Sequence, residues 1–405
     1  MTSFDSSPQL NAGRALLALA VVFVMLATTG WSALRQQREA APLSASLTAW
    51  EQGRTAGREL PDPRSAPGRL ARFFASLTEA QRLGLAHRFP LAVGNMNGAP
   101  ADLRYRANRI AMEQAREVER ERMRDTRLTP AGQHQAGRRM NRLGALLKPG
   151  RQILAFDPSG PGRVAEVFGD LDEAERISVV VPGVDTDLLT FQRTYRRYSA
   201  PVGMAEALRA AEHEADPATR TAVIAWADYT APGGVGMEAA MAGRAGDGAL
   251  RLDALLRALP GTAPVALFCH SYGSVVCGLA ASTLPGRVTD IAVAGSPGMR
   301  AETASALRTH ARVWAMRDAD DWVQDVPYLE VGGLGHGADP VSPAFGARVL
   351  SAREAQGHSG YFEPGTDSLR NFAEIGVGAY PAVACAHDDG VCRAGLSYAR
   401  PPGRA

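Results

Sequence analysis

The chain has 405 residues, which is long for one domain and short for three. Its hydrophobic fraction of 45% and aromatic fraction of 6% are typical of a globular protein with a buried core. The 44 basic residues nearly balance the 42 acidic ones, so the net charge of +2 creates no field that would favour a nucleic-acid partner, and we predict none.

An uncharged stretch, ALLALAVVFVMLATTGWSAL, occupies residues 15–34 behind a short N-terminal tail of residues 1–14. About 20 such residues span the hydrocarbon core of a bilayer as a helix, so the stretch predicts a membrane anchor. A cleaved signal peptide is the alternative, but the charged region before the stretch is thin and no clear A-x-A site follows it. The membrane is therefore one predicted partner of the chain.

Two signals for the orientation in the membrane disagree. Arg35 and Arg38 follow the span and only Arg14 precedes it, which favours a cytoplasmic globular part. Cys385 and Cys392 enclose six residues of the C-terminal tail, and such a pair readily closes a disulfide loop in an oxidising compartment. Because the charge excess is only one or two residues, we expect a membrane-anchored protein whose globular part is extracytoplasmic. A secreted protein and a cytoplasm-facing one are the alternatives.

Two regions lie between the predicted span and residue 151. Residues 35–66 are rich in Ala, Arg, Pro and Ser and lack periodicity, which indicates a linker. Residues 67–150 predict helices that pack on the domain that follows. One helix is expected to open at Ser76, a candidate cap with Glu79 three residues later, and a longer one covers residues 101–125.

From residue 151 to 380 the sequence alternates apolar runs with helical stretches, before a C-terminal tail of residues 381–405. The clearest runs are nearly continuous in apolar residues, as strands covered on both faces are. They are ISVVVPG (177–183), AVIAWADY (222–229), VALFCHS (265–271), VTDIAVAGSPG (288–298) and VWAMRDADDWV (313–323). The alternation predicts an α/β fold with a mostly parallel sheet and helices on both faces.

In open α/β sheets the functional groups lie beyond the carboxyl ends of the strands. Here one run ends in a Pro–Gly turn (VVVPGVDT), one in a serine (VALFCHSYGS) and one in three aspartates (VWAMRDADDWV). A serine hydroxyl is a weak nucleophile unless a histidine takes its proton, a carboxylate orients that histidine and donors hold the developing oxyanion. The strand ends therefore predict nucleophilic catalysis.

The stretch CHSYGS, residues 269–274, resembles the G-x-S-x-G nucleophile elbow of α/β-hydrolases. Cys269 stands where the first glycine usually does, and we expect it and Cys277 to be small buried thiols. The stretches FFASLTEAQRLGLAHRFPLAVGNMNGAPADLRYRANRIAM and HSGYF extend the likeness over about residues 70–380. They make the chain similar to a family of actinobacterial α/β-hydrolases of unknown function, DUF1023. The resemblance implies the α/β-hydrolase fold and a triad, without a substrate.

The resemblance implies that Ser271 is the nucleophile and that the acid follows the strand VWAM. Asp318, Asp320 and Asp321 all qualify by position. Asp321 is favoured because it lies two residues before a valine, which matches the D-x-V pattern of the fold. His270, directly before the nucleophile, is expected to pack and to form local hydrogen bonds rather than act as the base.

The chain order Ser, Asp, His requires a base downstream of the aspartates. His358 is favoured over His336, with His387 a distant third, because a further strand, ARVLS (347–351), is expected between acid and base. The resemblance also places the base in HSGYF. The oxyanion donors are expected to be two backbone N–H groups. One belongs to Tyr272, after the nucleophile, and the other to Val184, after the Pro–Gly turn.

The predicted function is that of a serine hydrolase acting on a small-molecule or lipid-like acyl substrate. A carboxylic ester is the favoured bond, and amide hydrolysis or acyl transfer would use the same groups. Neither paired C-x-x-C nor H-E-x-x-H spacing occurs, and no phosphate-binding or dinucleotide fingerprint is present, so we predict no metal and no cofactor. The alternative from another class is a catalytically silent scaffold that binds a partner, because Cys269 departs from the elbow pattern.

Overall fold

The computed structural model describes residues 41–386 and 390–396. The predicted tail, 1–14, and the predicted membrane span, 15–34, lie outside the described residues. Among the residues described, none of the helices combines the length and the apolar character needed to cross a bilayer.

An eight-stranded sheet forms the centre of the described chain. Its strands are β1 (Gln152–Asp157), β2 (Arg163–Phe168), β3 (Arg176–Val181), β4 (Thr221–Ala227), β5 (Val265–His270), β6 (Val288–Ala294), β7 (Arg312–Met316) and β8 (Arg348–Val349). Their spatial order is β1-β2-β4-β3-β5-β6-β7-β8. The β1–β2 and β2–β4 pairs are antiparallel and the other pairs are parallel, so the carboxyl ends of β3 to β8 meet at one edge.

Helices cover both faces of this sheet, as predicted. They are α1 (Pro42–Glu51), α2 (Pro67–Ala75), α3 (Glu79–Arg88), α4 (Pro90–Gly94), α5 (Ala101–Arg124), α6 (Pro130–Leu146), α7 (Pro201–Ala215), α8 (Met237–Ala240), α9 (Gly243–Ala258), α10 (Gly273–Ala280), α11 (Asp367–Val377) and α12 (Gly390–Arg393). Helices α9 and α10 share one hydrophobic cluster with the sheet, and α7 and α11 share the other. Every residue of β3 and β5 is buried, which explains why their sequences are mostly apolar.

Short 3-10 helices and two-residue hairpins complete the connections. The 3-10 helices are Arg197–Ser199, Ser305–Leu307, Trp322–Asp325, Gly357–Ser359 and Tyr380–Ala382. One hairpin pairs Arg54–Thr55 with Arg58–Glu59, and the other pairs Glu330–Val331 with Leu334–Gly335. The connections after β7 and β8 carry two of the predicted site residues, Asp321 and His358.

The predicted helical region packs against the sheet as expected. Ala111 and Met112 of α5 and Leu143 of α6 belong to the same buried cluster as Ile153 of β1. The side-chain amide of Asn108 also donates to the Ile153 carbonyl at 2.9 Å. These contacts join α5 and α6 to the edge of the sheet.

The cap predicted within this region is wrong by two residues. Ser76 is the C-cap of α2, and Thr78 is the N-cap of α3. Thr78 Oγ1 accepts from the Gln81 N–H at 3.2 Å, while the Gln81 side chain accepts from the Thr78 N–H at 2.9 Å. This reciprocal capping box satisfies two backbone donors, which Ser76 and Glu79 do not do.

The predicted linker, 35–66, is also wrong for its described part. Helix α1 and the first hairpin occupy most of residues 41–66. Trp50 is completely buried, its indole N–H donates to the Pro61 carbonyl at 2.7 Å, and its ring packs against Phe74 and Phe89. A single buried tryptophan anchors a segment whose composition resembles that of a linker.

Candidate active site

The turn between β5 and α10 holds Ser271 in a strained backbone conformation. Its φ is +55°, in the left-handed region that costs a non-glycine residue about 1–3 kcal/mol. Ser271 N–H donates to the Ala294 carbonyl of β6 at 3.0 Å, and its own carbonyl accepts from Ser274 N–H at 2.9 Å. At Gly273 a Cβ would collide with the carbonyl oxygen of Val181, so this position requires glycine. The turn therefore has the geometry of a nucleophile elbow.

Cys269 does not stand free in this turn, contrary to prediction. It forms a disulfide with Cys277 of α10, with 6.6 Å between the two Cα atoms, and both residues are buried. The bond joins the end of β5 to α10 across the elbow. The predicted Cys385–Cys392 disulfide is also formed.

Ser271, His358 and Asp321 form one hydrogen-bonded series. His358 Nε2 lies 2.8 Å from Ser271 Oγ, and His358 Nδ1 lies 2.9 and 3.1 Å from the two Asp321 carboxylate oxygens. An ionised carboxylate only accepts hydrogen bonds, so Nδ1 carries the proton and Nε2 is free to accept one from the serine. This is the arrangement in which a histidine acts as a general base.

The Asp321 carboxylate is completely buried. Burial alone would raise its pKa, but hydrogen bonds from His358, Tyr361 and Val323 N–H outweigh burial and lower the pKa below its ordinary value. Asp321 is therefore ionised at neutral pH and can stabilise a positive charge on His358.

The other candidate acids and the other candidate base are placed elsewhere. Asp318 Oδ2 accepts from Gly357 N–H at 2.8 Å and so holds the segment that carries His358, while Asp320 is exposed. The ring of His336 is 5.7 Å from that of Tyr272, and its Nε2 lies 2.6 Å from the Ala239 carbonyl. In the part of the chain that the structure describes, neither Asp318 nor Asp320 forms a hydrogen bond with the His358 ring, and His336 forms none with Ser271. The catalytic roles themselves stay predictions.

His270 contacts both the backbone and the ring of the proposed base, His358. Its Nε2–H donates to the His358 carbonyl at 2.6 Å, and the two ring centroids are 4.9 Å apart. Burial, with the neighbouring His358 as a lesser cause, lowers the pKa of His270 to about 3, so the ring is neutral above that pH. These contacts match the packing and hydrogen-bonding role expected for His270.

Two aromatic residues of the site were missed by the sequence reasoning. Tyr361 OH donates to Asp321 Oδ2 and accepts from Asp318 N–H at 3.0 Å, and so links two of the candidate aspartates. The Trp322 ring lies 4.7 Å from the His358 ring and is 45% exposed. Tyr361 belongs to the HSGYF stretch and Trp322 follows Asp321 directly, so their positions in the sequence were the available signal.

The loop after β3 passes close to the nucleophile. A Cβ on Gly183 would lie 2.6 Å from Ser271 Cβ and 3.0 Å from its Oγ, so only glycine allows this approach. Tyr229 OH donates to the Pro182 carbonyl at 2.6 Å and holds the loop from the other side. Val184 thus follows directly on a residue that touches Ser271, and Tyr272 begins α10 beside it. The roles of the Val184 and Tyr272 N–H groups as oxyanion donors stay predictions.

The described residues contain no evident cluster of side chains that could coordinate a metal ion. Within residues 41–386 and 390–396, no group of three or more His, Cys, Asp and Glu side chains is arranged to hold an ion. The predicted absence of a metal and a cofactor stays a prediction.

Residues 157–331 match a family model described as "Alpha/beta hydrolase". This range contains Ser271 and Asp321 and ends before His358. Two curated relatives from Mycobacterium tuberculosis match as well: "Uncharacterized protein Rv2079" of strain H37Rv and "Uncharacterized protein MT2140" of strain CDC 1551. Each is 26% identical over an alignment of 387 residues that covers 80% of this chain and 58% of the relative. The chain thus spans less than two thirds of the length of these relatives.

Solved structures were matched at low similarity. A 2,6-dihydroxy-pseudo-oxynicotine hydrolase is 11% identical, over 76% of this chain and 96% of that chain, with a TM-score of 0.36. Dipeptidyl peptidase 4 of Porphyromonas gingivalis is 12% identical, over 42% of this chain and 28% of that chain, with a TM-score of 0.27.

Proposed function

Because the chain carries an α/β-hydrolase domain, as its sequence resemblance predicted, we propose that it is a serine hydrolase with Ser271 as nucleophile. The narrower designation DUF1023 stays a prediction. The single observation that carries the proposal is the hydrogen-bonded series from Ser271 through His358 to Asp321. A silent scaffold would have no need of the strained serine or of a buried carboxylate behind the histidine.

The proposed reaction begins when Ser271 Oγ attacks the carbonyl carbon of an acyl group. His358 Nε2 takes the hydroxyl proton, and Asp321 stabilises the imidazolium that results. The N–H groups of Tyr272 and Val184 donate to the oxyanion, and one such donor contributes about 10²–10³-fold in rate. His358 then gives its proton to the leaving group, which leaves an acyl group on Ser271. A water molecule, deprotonated by the same Nε2, releases the acid and restores the serine.

We propose a carboxylic ester as the bond that is cleaved. An alcohol is a better leaving group than an amine, so ester cleavage demands least of His358 as an acid. Amide hydrolysis and acyl transfer to another hydroxyl would use the same groups and remain the alternative reactions.

We further propose that the catalytic part lies in an oxidising, extracytoplasmic compartment. Both cysteine pairs form disulfides, and disulfides persist where thiols are not kept reduced. Residues 15–34, outside the described chain, would be the membrane anchor. Alkylation of intact cells followed by mass spectrometry tests the location. Disulfide-linked peptides support it, and alkylated free cysteines would contradict it.

Labelling of the purified full-length chain with a fluorophosphonate probe tests the enzymatic proposal. The probe reacts with serines activated by a general base, so we expect labelling of the wild type, none of Ser271→Ala and at least 100-fold slower labelling of His358→Ala. His310→Ala is the matched control, because His310 is exposed and makes none of the site contacts. A folded wild type that is not labelled would contradict the proposal and favour a binding scaffold.

A further inference from the structure

An exposed apolar surface lies beside the proposed active site, and we propose that it binds the apolar chain of an ester substrate. The inference rests on the proposed hydrolase function and adds a substrate class to it. A single exposed apolar side chain is ordinary on a protein surface, whereas a contiguous group marks a binding surface. What matters here is therefore that exposed apolar side chains lie together near the site rather than singly.

Ten large apolar side chains are exposed in the described chain, and seven of them belong to two loops. One loop joins β4 to α9, and the other joins β7 to β8. Because β4, β5 and β7 are parallel, both loops begin at the edge of the sheet where β5 ends in the elbow. We call the seven side chains the apolar rim; they are Val235, Met237, Met241, Trp322, Leu329, Val331 and Leu334.

The two loops of the rim are in contact with each other. Met241 forms an antiparallel bridge with Leu334, and the neighbouring Ala239 carbonyl lies 2.6 Å from His336 Nε2. Leu334 in turn pairs with Val331 across a two-residue turn of Gly332 and Gly333, both at positive φ. Directly paired residues of a hairpin place their side chains on the same face. Val331 and Leu334 therefore extend the surface that begins at Met241.

The rim also contacts the proposed catalytic residues. Tyr272, the predicted oxyanion donor, donates its hydroxyl to the Met241 carbonyl at 2.8 Å. In the loop that joins β7 to β8, the half-exposed Trp322 ring lies against the ring of His358. Met241 thus adjoins the side chain of Tyr272, and Trp322 adjoins the proposed base.

Two acidic side chains of these loops, Glu238 and Glu330, are paired within the protein. Arg244 pairs with Glu238 at 3.1 Å, and Arg300 pairs with Glu330. This internal pairing favours a neutral, apolar substrate group over a charged one at the rim. We therefore expect the apolar substrate group to be a chain of several methylene groups attached to the ester.

Chain-length dependence of the hydrolysis rate tests the inference. Full burial of one methylene is equivalent to about a fourfold gain, and we expect about twofold on this open surface. The kcat/KM for p-nitrophenyl octanoate should then exceed that for the acetate by about 50-fold in the wild type. Met241→Ser and Leu334→Ser are each expected to lower this octanoate-to-acetate ratio about fivefold, and Met241→Leu should retain it.

Leu250→Ser is the matched control, because Leu250 is 75% exposed on α9 and is not part of the rim. It should leave the ratio and both rates unchanged. A parallel series of alkyl acetates shows whether the chain belongs to the acyl or the alcohol part, and a preference for longer chains in either series supports the inference.

Two results would overturn the inference alone. The first is equal rates for short and long esters in a wild type that the fluorophosphonate labels. The second is a folded rim variant that lowers the rates for all esters by the same factor. Absence of labelling would refute the hydrolase function and this inference together.

Discussion

Replacement of Asp321 by Asn is expected to lower kcat for ester hydrolysis by about 10³–10⁴-fold without unfolding the protein. The change removes the negative charge that faces His358 and keeps the shape of the side chain. Asp321 is completely buried, and its nearer oxygen lies 2.9 Å from His358 Nδ1. At an effective dielectric constant of about 20, two unit charges at that distance attract by about 6 kcal/mol. This attraction acts only once His358 has taken the serine proton, so its loss raises the barrier rather than weakening substrate binding.

The assay compares kcat for one p-nitrophenyl ester among Asp321→Asn, Asp318→Asn and Asp320→Asn, with melting temperature as the measure of folding. Asp318 accepts a hydrogen bond from Gly357 N–H near the base, and its amide variant is expected to lose about tenfold or less. Asp320 is exposed, and its variant should stay within about twofold of the wild type. A larger loss for Asp318→Asn than for Asp321→Asn would refute the choice of acid. So would a loss below about tenfold for Asp321→Asn in a folded protein.

Three further predictions concern the supports of the elbow. The pKa of His270 is lowered to about 3 in the folded protein, so between pH 6.5 and 3 the unfolded chain binds a proton at this residue that the folded protein does not bind. The free energy of unfolding therefore decreases as the pH is lowered through this range. When the pH is lowered from 7 to 5, the free energy of unfolding, measured by urea titration, should decrease by about 2 kcal/mol less in His270→Gln than in the wild type. Equal decreases in the two proteins would contradict this. Replacing Cys269 and Cys277 together by Ala should lower the free energy of unfolding by about 2–3 kcal/mol, measured by urea denaturation, and an unchanged midpoint would show that the bond is dispensable. Gly183→Ala places a methyl group 2.6 Å from Ser271 Cβ and should slow fluorophosphonate labelling by about 100-fold or more, so labelling at the wild-type rate would mean that the loop can move away freely.

Local patterns in the sequence were sufficient to predict the α/β architecture and the position of most strands. Continuous apolar runs identify strands that are covered on both faces, and β3, β5 and β6 begin within a residue of their predicted starts. Antiparallel β1 and β2 were not singled out, because their six-residue sequences, QILAFD and RVAEVF, mix polar or charged residues with apolar ones and show no continuous apolar run. Tertiary packing also decided that residues 41–66 are ordered around Trp50 rather than extended as a linker.

The sequence by itself determined which strand ends come together at the proposed site. Ser271, Asp321 and His358 each follow a strand of one parallel sheet, and the carboxyl ends of such strands meet at one edge whatever the loops between them do. Only the tertiary structure decided which of three neighbouring aspartates faces the histidine, because one residue of displacement in a loop redirects a side chain completely. It alone also showed the Cys269–Cys277 disulfide and the apolar rim, since both depend on distances between segments that no local pattern encodes.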